Sequence, residues 1–189
     1  LVTPEKIAEV REKLAAGAAV VVLGFDAAEP KGYGRLIVAD DRLVAIREEK
    51  DATAAEKTVT FCNSGIMGLA GASALSLLEA IGNANAKGEY YLTDAVEIAN
   101  ARGLAAVAVT GEEAEFLGVN DRCQLATCEA VFQARRRDAA MTAGVTLVAP
   151  DTVFFSVDTE LAADVVVEPN VVFGPGVKVA SGARIRAFS

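Results

Sequence analysis

Histidine is absent from the sequence, and its three cysteines, Cys62, Cys123 and Cys128, form no CxxC pair. A zinc site would lack imidazole ligands and paired thiolates, and an odd cysteine count offers no disulfide framework. The thiols read as buried side chains of a cytosolic protein. Long apolar runs are also missing. The longest, Ala15 to Phe25, covers 11 residues and is interrupted by glycines; a bilayer span needs about 20, so no membrane span is expected. Positive charge is scarce, with 18 Lys and Arg against 26 Asp and Glu and a net charge of -8. That balance argues against a DNA or RNA partner, whose phosphates demand a basic face. A small anionic substrate would need local help. The first residue is not Met, and no basic segment precedes an apolar stretch, so no secretory signal is read. The start reads as a truncation, and the expected location is the cytoplasm.

The 189 residues are 52% hydrophobic and 23% charged, which suits one ordinary globular domain plus something smaller. Thr3 before Pro4 signals a helix start, Ile7, Val10 and Leu14 recur at helical spacing, and Gly17 ends the run. Val20 to Phe25 is continuous and rich in β-branched residues, as a strand buried on both faces should be, and it suggests a parallel α/β sheet. Arg35 to Val38 and Leu43 to Ile46 flank Asp40 and Asp41, a hairpin pattern. Thr58 to Cys62 and Ile66 to Leu69 read as two further strand pieces.

Leu75, Leu78 and Ile81 mark a second helix, and Asp94 with Glu97 gives capping-box spacing to a third. Leu104 to Val109 returns as a strand. Asp121 and Gln124 open a long connector helix whose apolar face is Leu125, Cys128 and Phe132 and which ends near Gly144. After Pro150 apolar residues recur every six positions: Leu161, Val167, Phe173, Val179 and Ile185, with Val165, Val171, Val177 and Ala183 four residues after the first four. Asn170 and the glycines at 174, 176 and 182 fall between them, as hexapeptide coils of a β-helix require.

Taken singly, the polar candidates are ambiguous. Gly34 fits a strand start, Glu48, Glu49 and Lys50 fit a solvated charge run, and Asn63 and Asn120 fit turns. Arg135, Arg136 and Arg137 read as a solvent-facing mid-helix cluster. Composition and spacing alone reach a soluble α/β domain with a β-helix appended.

The combination is more specific. GYGRLIV, AIREEKDAT, CNSGIM, NANAKGEYYLTD and GVNDR occur in order, followed by a long helix and by hexapeptides from about EPNVVFGPGV. This order closely resembles the bacterial bifunctional N-acetylglucosamine-1-phosphate uridyltransferase/glucosamine-1-phosphate acetyltransferase family over essentially the whole chain. The resemblance implies part of a Rossmann-like nucleotidyltransferase domain, a linker helix and the start of a left-handed parallel β-helix. It implies boundaries at 1–122, 123–143 and 144–189.

It also implies an activity: UTP and N-acetylglucosamine 1-phosphate are joined with Mg2+ to give UDP-N-acetylglucosamine and pyrophosphate. Acetyl-CoA would serve a second site, and the full-length family is a homotrimer. Carried over by position, Gly34, Glu48, Asn63 and Asn120 are the expected sugar-nucleotide contacts, with Asn120 also a Mg2+ ligand. Tyr91 and Thr93 are expected to line the same pocket. No side-chain nucleophile is implied, since the reaction is in-line attack by a phosphate oxygen and rests on positioning and charge neutralisation. The family's Gly-rich triphosphate loop and its metal-binding Asp find no match before Leu1, and its acetyl-CoA residues find none before Ser189. The chain alone is therefore expected to be inactive, and its last coil is expected to leave Val171, Val177, Val179 and Ile185 poorly covered. Two other classes fit the same architecture: a non-catalytic regulatory subunit, and another sugar-1-phosphate nucleotidyltransferase.

Overall fold

The computed structural model describes residues 1–119 and 121–189. They form a mixed α/β protein of two compact units, Leu1–Gly118 and Val119–Ser189.

The first unit opens with α1, Pro4–Ala15, capped where the Thr3 hydroxyl accepts from the Lys6 amide at 3.4 Å. Gly17, at φ 104, turns the chain into β1, Val20–Asp26. β2, Arg35–Ala39, and β3, Arg42–Arg47, form a hairpin whose loop residues Asp40 and Asp41 have φ 48 and 57. Two left-handed residues make the primed turn that matches strand twist, and Asp tolerates that conformation. Then follow β4, Phe61–Leu69, α2, Gly71–Glu79, α3, Ala95–Ala101, and β5, Ala106–Thr110.

The sheet order is β3-β2-β4-β1-β5. Only β1 and β5 run parallel; β4 is antiparallel to both β1 and β2. The expected parallel sheet is thus corrected to a mixed one. A continuous apolar run reports burial on both faces, which β1 has, and does not report strand direction. Val20 and Val22 pack toward Leu77, Val96 and Ala99, while Val21, Leu23 and Phe25 pack with Val10, Cys62 and Phe116.

Of the two strand pieces expected at 58–62 and 66–69, Thr58 ends a 3-10 turn, while the residues from Phe61 on belong to one strand. Its register against β1 shifts between Val22 and Gly24, and Gly65 takes φ 83. This bulge is why the pattern breaks in the middle. Asp94 precedes α3 but makes no side-chain cap, contrary to the capping-box spacing. Its backbone is already helical, with φ -64 and ψ -21, so its carboxylate cannot reach back to the first-turn amides.

The second unit begins with α4, Arg122–Thr142, whose cap is the Asp121 carboxylate accepting from Gln124 N at 2.8 Å. Three parallel ladders follow. Thr146–Leu147 (β6), Val166–Val167 (β9) and Arg184–Ile185 (β12) form one; Val153–Phe154 (β7) and Val171–Val172 (β10) another; Glu160–Leu161 (β8) and Lys178–Val179 (β11) the third. Asp164, Asn170, Gly176, Gly182 and Phe188 all have positive φ, so a left-handed residue recurs every sixth position and turns each corner.

Val165, Val167, Val171 and Phe173 fill the interior with Val145, Leu147, Val153 and Phe155. Stacking therefore starts before Leu161. Pro150 and the buried Thr159 hide the period in that first coil. Val171 is only 1% exposed, which corrects the expected open edge there; it pairs with Val153 in the ladder below. Val177, Val179 and Ile185 are half-buried.

The arginine cluster is corrected too. Arg136 donates to the carbonyl of Thr159 and lies 5.9 Å from the Phe155 ring centroid, while Arg137 pairs with Asp151 at 3.4 Å. The expected apolar stripe stays partly open, with Leu125 55% exposed. Buried Gln133 holds the backbone of Phe155 instead, donating to its carbonyl and accepting from its amide, each at 2.8 Å. Of the thiols, Cys62 is buried, Cys128 is half-buried and Cys123 is exposed, the last two lying on the partly open α4. The expectation of buried cysteines holds for Cys62 alone.

Candidate functional site

Four of the sequence strings meet in the first unit at one end of the β2–β3 hairpin. The last paired residues of that hairpin are Arg35 and Arg47, so Gly34 and Glu48 stand opposite each other one step beyond the ladder. Gly34 offers its carbonyl to the Asn63 amide at 2.8 Å. A Cβ placed on Gly34 would lie 3.2 Å from Ile46 Cγ2, 3.5 Å from Glu48 Oε1 and 3.6 Å from Asn63 Cβ. The missing side chain thus keeps open a small space walled by a carboxylate and a carboxamide residue. Asn63 sits beside the β4 bulge, where its Oδ1 accepts from the Gly65 amide at 3.0 Å. That bond fixes the carboxamide and leaves its NH2 as a donor.

The segment after α2 closes the same region. The Thr93 hydroxyl donates to Glu48 Oε1 at 3.2 Å, and the Ala86 amide donates to Asp51 Oδ1 at 3.0 Å. AIREEKDAT and NAKGEYYLTD are thereby tied at both ends. Two shallow recesses of about 190 and 250 Å3 lie here and share Glu48 and Tyr91 as a common wall. The Tyr91 hydroxyl is buried with no hydrogen-bond partner among the described residues. Burial first, then the charges of Asp51, Glu89, Glu48 and Asp94, push this phenol above its usual range, so it stays protonated and able to donate. Burial also raises Asp94, helped by Glu97.

The surroundings are acidic. Arg47 is held protonated, first by its hydrogen bond to Glu97, with Glu56 as a second carboxylate. Lys50 and Lys87 line the smaller recess, and Lys87 stands 3.7 Å from Glu89. A space lined by Glu48, Asp51, Asp94 and Glu97 suits neutral hydroxyl and amide groups, which need acceptors and a few donors. It does not favour a triphosphate, whose charge it would repel.

Asn120 lies outside the described residues, so it cannot be placed relative to the other three. Among the described residues no group of three or more His, Cys, Asp or Glu side chains is arranged to hold a metal ion. Among the described residues no helix is long and apolar enough to cross a membrane. One partnership escaped the sequence reading: Arg35 is only 2% exposed and pairs with Glu49 at 2.8 Å. An arginine opening an otherwise apolar strand, RLIVA, was the available signal.

No family model matches the chain. Individual proteins do. It is 64% identical over 188 residues to the bifunctional protein GlmU of Xanthobacter autotrophicus, with all of this chain and 42% of the relative covered. The GlmU proteins of Azorhizobium caulinodans and Sinorhizobium fredii are 63% and 58% identical over 189 residues, with 42% and 41% of their lengths covered. The resemblance carried by the strings thus extends along the whole chain, which spans less than half the length of these relatives.

Proposed function

We propose that this chain, a relative of part of the bifunctional GlmU proteins along its whole length, carries the sugar-binding half of a site that makes UDP-N-acetylglucosamine. The substrates would be UTP and N-acetylglucosamine 1-phosphate. The observation that supports this most directly is the meeting of Gly34, Glu48 and Asn63 within 4 Å of one point. Thr93 occupies one oxygen of Glu48, and the other is left to accept a sugar hydroxyl. Asn63 would donate from its amide nitrogen, and the bare Gly34 would let the ligand approach the backbone. Tyr91, kept protonated, would donate to the same ligand. Asn120 is proposed as the nucleotide contact and Mg2+ ligand.

On this reading, residues 1–122 are the C-terminal part of a Rossmann-like uridyltransferase domain and 123–143 are a linker helix. Residues 144–189 would start a left-handed β-helix that supports acetyl-CoA-dependent acetylation and a homotrimer in the complete protein, with the cytoplasm as its location. This chain's residues contribute binding and orientation. Positioning a reactant beside the attacked phosphorus can supply a large part of a rate enhancement without any protein nucleophile.

The test is Glu48→Ala in a polypeptide of the relatives' full length. A hydrogen bond to a charged group is worth about 1.5 to 3 kcal/mol, so kcat/KM for the sugar phosphate should fall about ten- to a hundredfold, with the KM for UTP little changed. Unchanged sugar-phosphate kinetics would sink the assignment. Offering other nucleotides and sugar phosphates to the same protein separates this reading from a different sugar specificity.

A further inference from the structure

We infer that Arg35 and Glu49 form a positioning clamp that holds Gly34 and Glu48 in register beyond the end of the β2–β3 ladder. The inference rests on the sugar-site reading above. Backbone pairing in the hairpin stops at Arg35 and Arg47. Gly34 and Glu48 face each other in the next position with no hairpin pair between them, Gly34 being held by the Asn63 amide of β4 instead, and strands past the last rung of a hairpin splay unless something ties them.

The tie is visible. The buried Arg35 guanidinium donates through one nitrogen to the Tyr33 carbonyl and through the other to Glu49 Oε2 at 2.8 Å. The same Glu49 oxygen accepts from the Gly32 amide at 3.2 Å. Gly32, at φ 93, is the turn that brings the chain into β2. Gly34 therefore lies between two anchored residues, Tyr33 and Arg35, while Glu48 directly precedes the carboxylate that anchors them. The planar fork of arginine suits this double contact, which a lysine cannot reproduce. Glu49 is held below the ordinary carboxylate range, first by the Gly32 amide and then by Arg35, so the clamp stays charged at neutral pH.

Stability does not explain such a pair. A buried ion pair is often replaceable by apolar residues at no net cost, and Arg35 Nε has no partner among the described residues. A merely solvated charge run would not bury an arginine at the base of the hairpin. The arrangement serves geometry: it sets the distance between the glycine and the carboxylate that flank the ligand space.

Two measurements test this. In a polypeptide of the relatives' full length, Glu49→Ala should raise the KM for N-acetylglucosamine 1-phosphate about tenfold while kcat and the KM for UTP stay within about twofold, because a misplaced binding group weakens one substrate. Glu49→Gln, which keeps an acceptor oxygen, should recover most of the loss. Equal losses for both substrates, or a Gln variant no better than Ala, would overturn the clamp. Should Glu49→Ala fail to fold, Arg35→Lys is read by the same criteria.

The second measurement is amide hydrogen exchange on this chain. Glu49→Ala should speed exchange at Gly32 and Asn63 about tenfold and leave Val21 and Val22 in central β1 unchanged. Unchanged exchange at Gly32 would also overturn it. If Glu48→Ala proves neutral for the sugar phosphate, the site reading fails while the exchange result still decides the clamp.

Discussion

Gly34 shows how much a single missing side chain can matter at residue scale. An added methyl would press on Ile46 at 3.2 Å, a few tenths of an ångström inside ordinary contact, while Glu48 and Asn63 stand slightly further off. The cost in stability should be small, within about 1 kcal/mol, because the backbone there is not left-handed and a methyl also restricts the unfolded chain. The methyl would nevertheless fill the space proposed for the sugar. Gly34→Ala should keep its thermal midpoint close to the parent's yet weaken use of N-acetylglucosamine 1-phosphate at least tenfold in the full-length protein, as initial-rate kinetics can show. Gly24→Ala makes the contrast: its Cβ would meet Leu36 Cδ1 at 2.3 Å inside the core, so stability should fall by about 1 to 3 kcal/mol.

At the scale of elements, α4 is joined to the coils by polar contacts as much as by apolar ones. Gln133 is 3% exposed and satisfies both backbone groups of Phe155. Each orphaned buried group costs about 1 to 3 kcal/mol, so Gln133→Met, which keeps the volume, should destabilise the second unit by about 2 to 4 kcal/mol in denaturant titration. Retained stability would show that packing alone holds the helix. Charge works between coils too. Glu168 is held below the ordinary range, first by Arg184, then by the Ala187 amide and Arg186, and Asp158 is held low by the Gly176 amide and Ser156. A lowered folded pKa stabilises fully above the unfolded value, about 4.3 for Glu and 3.9 for Asp, and is lost as pH falls through the folded one. Acid titration followed by circular dichroism should therefore show the last coil loosening below about pH 4.5, and Glu168→Gln should remove part of that pH dependence.

For the whole molecule, the chain spans 42% of its Xanthobacter relative, and the recess it carries is acidic. We expect the chain alone to give no UDP-N-acetylglucosamine in a coupled pyrophosphate assay, since the charge developing on a triphosphate needs cationic partners, and of those lining this space Arg47 and Lys87 are already paired with carboxylates. Turnover near that of a full-length relative would refute this. The half-buried Val177, Val179 and Ile185 leave the last coil partly open, and such an edge favours association. Light scattering should show mass rising with concentration, whereas a fixed trimer at every dilution would contradict it.

The sequence by itself determined what local rules can reach. The start of α1 at Thr3 and Pro4, the hairpin at Asp40 and Asp41, and the six-residue period of the coils are each readable because caps, left-handed turns and side-chain alternation involve neighbours in the chain. The order of the five strings was also enough to identify the relatives. Only tertiary structure decided the rest. Whether β4 runs with or against β1 depends on connections made elsewhere, and the burial of Arg35 depends on Glu49 folding back across the hairpin. The docking of Arg136 depends on Thr159, 23 residues away. The meeting of Gly34, Glu48, Asn63 and Thr93 joins segments up to 59 residues apart, and no window of sequence contains the bulge at Gly65 and the turn at Gly32 that aim them at one another. Such pairings form only when packing repays the entropy of closing long loops, which local propensity does not encode.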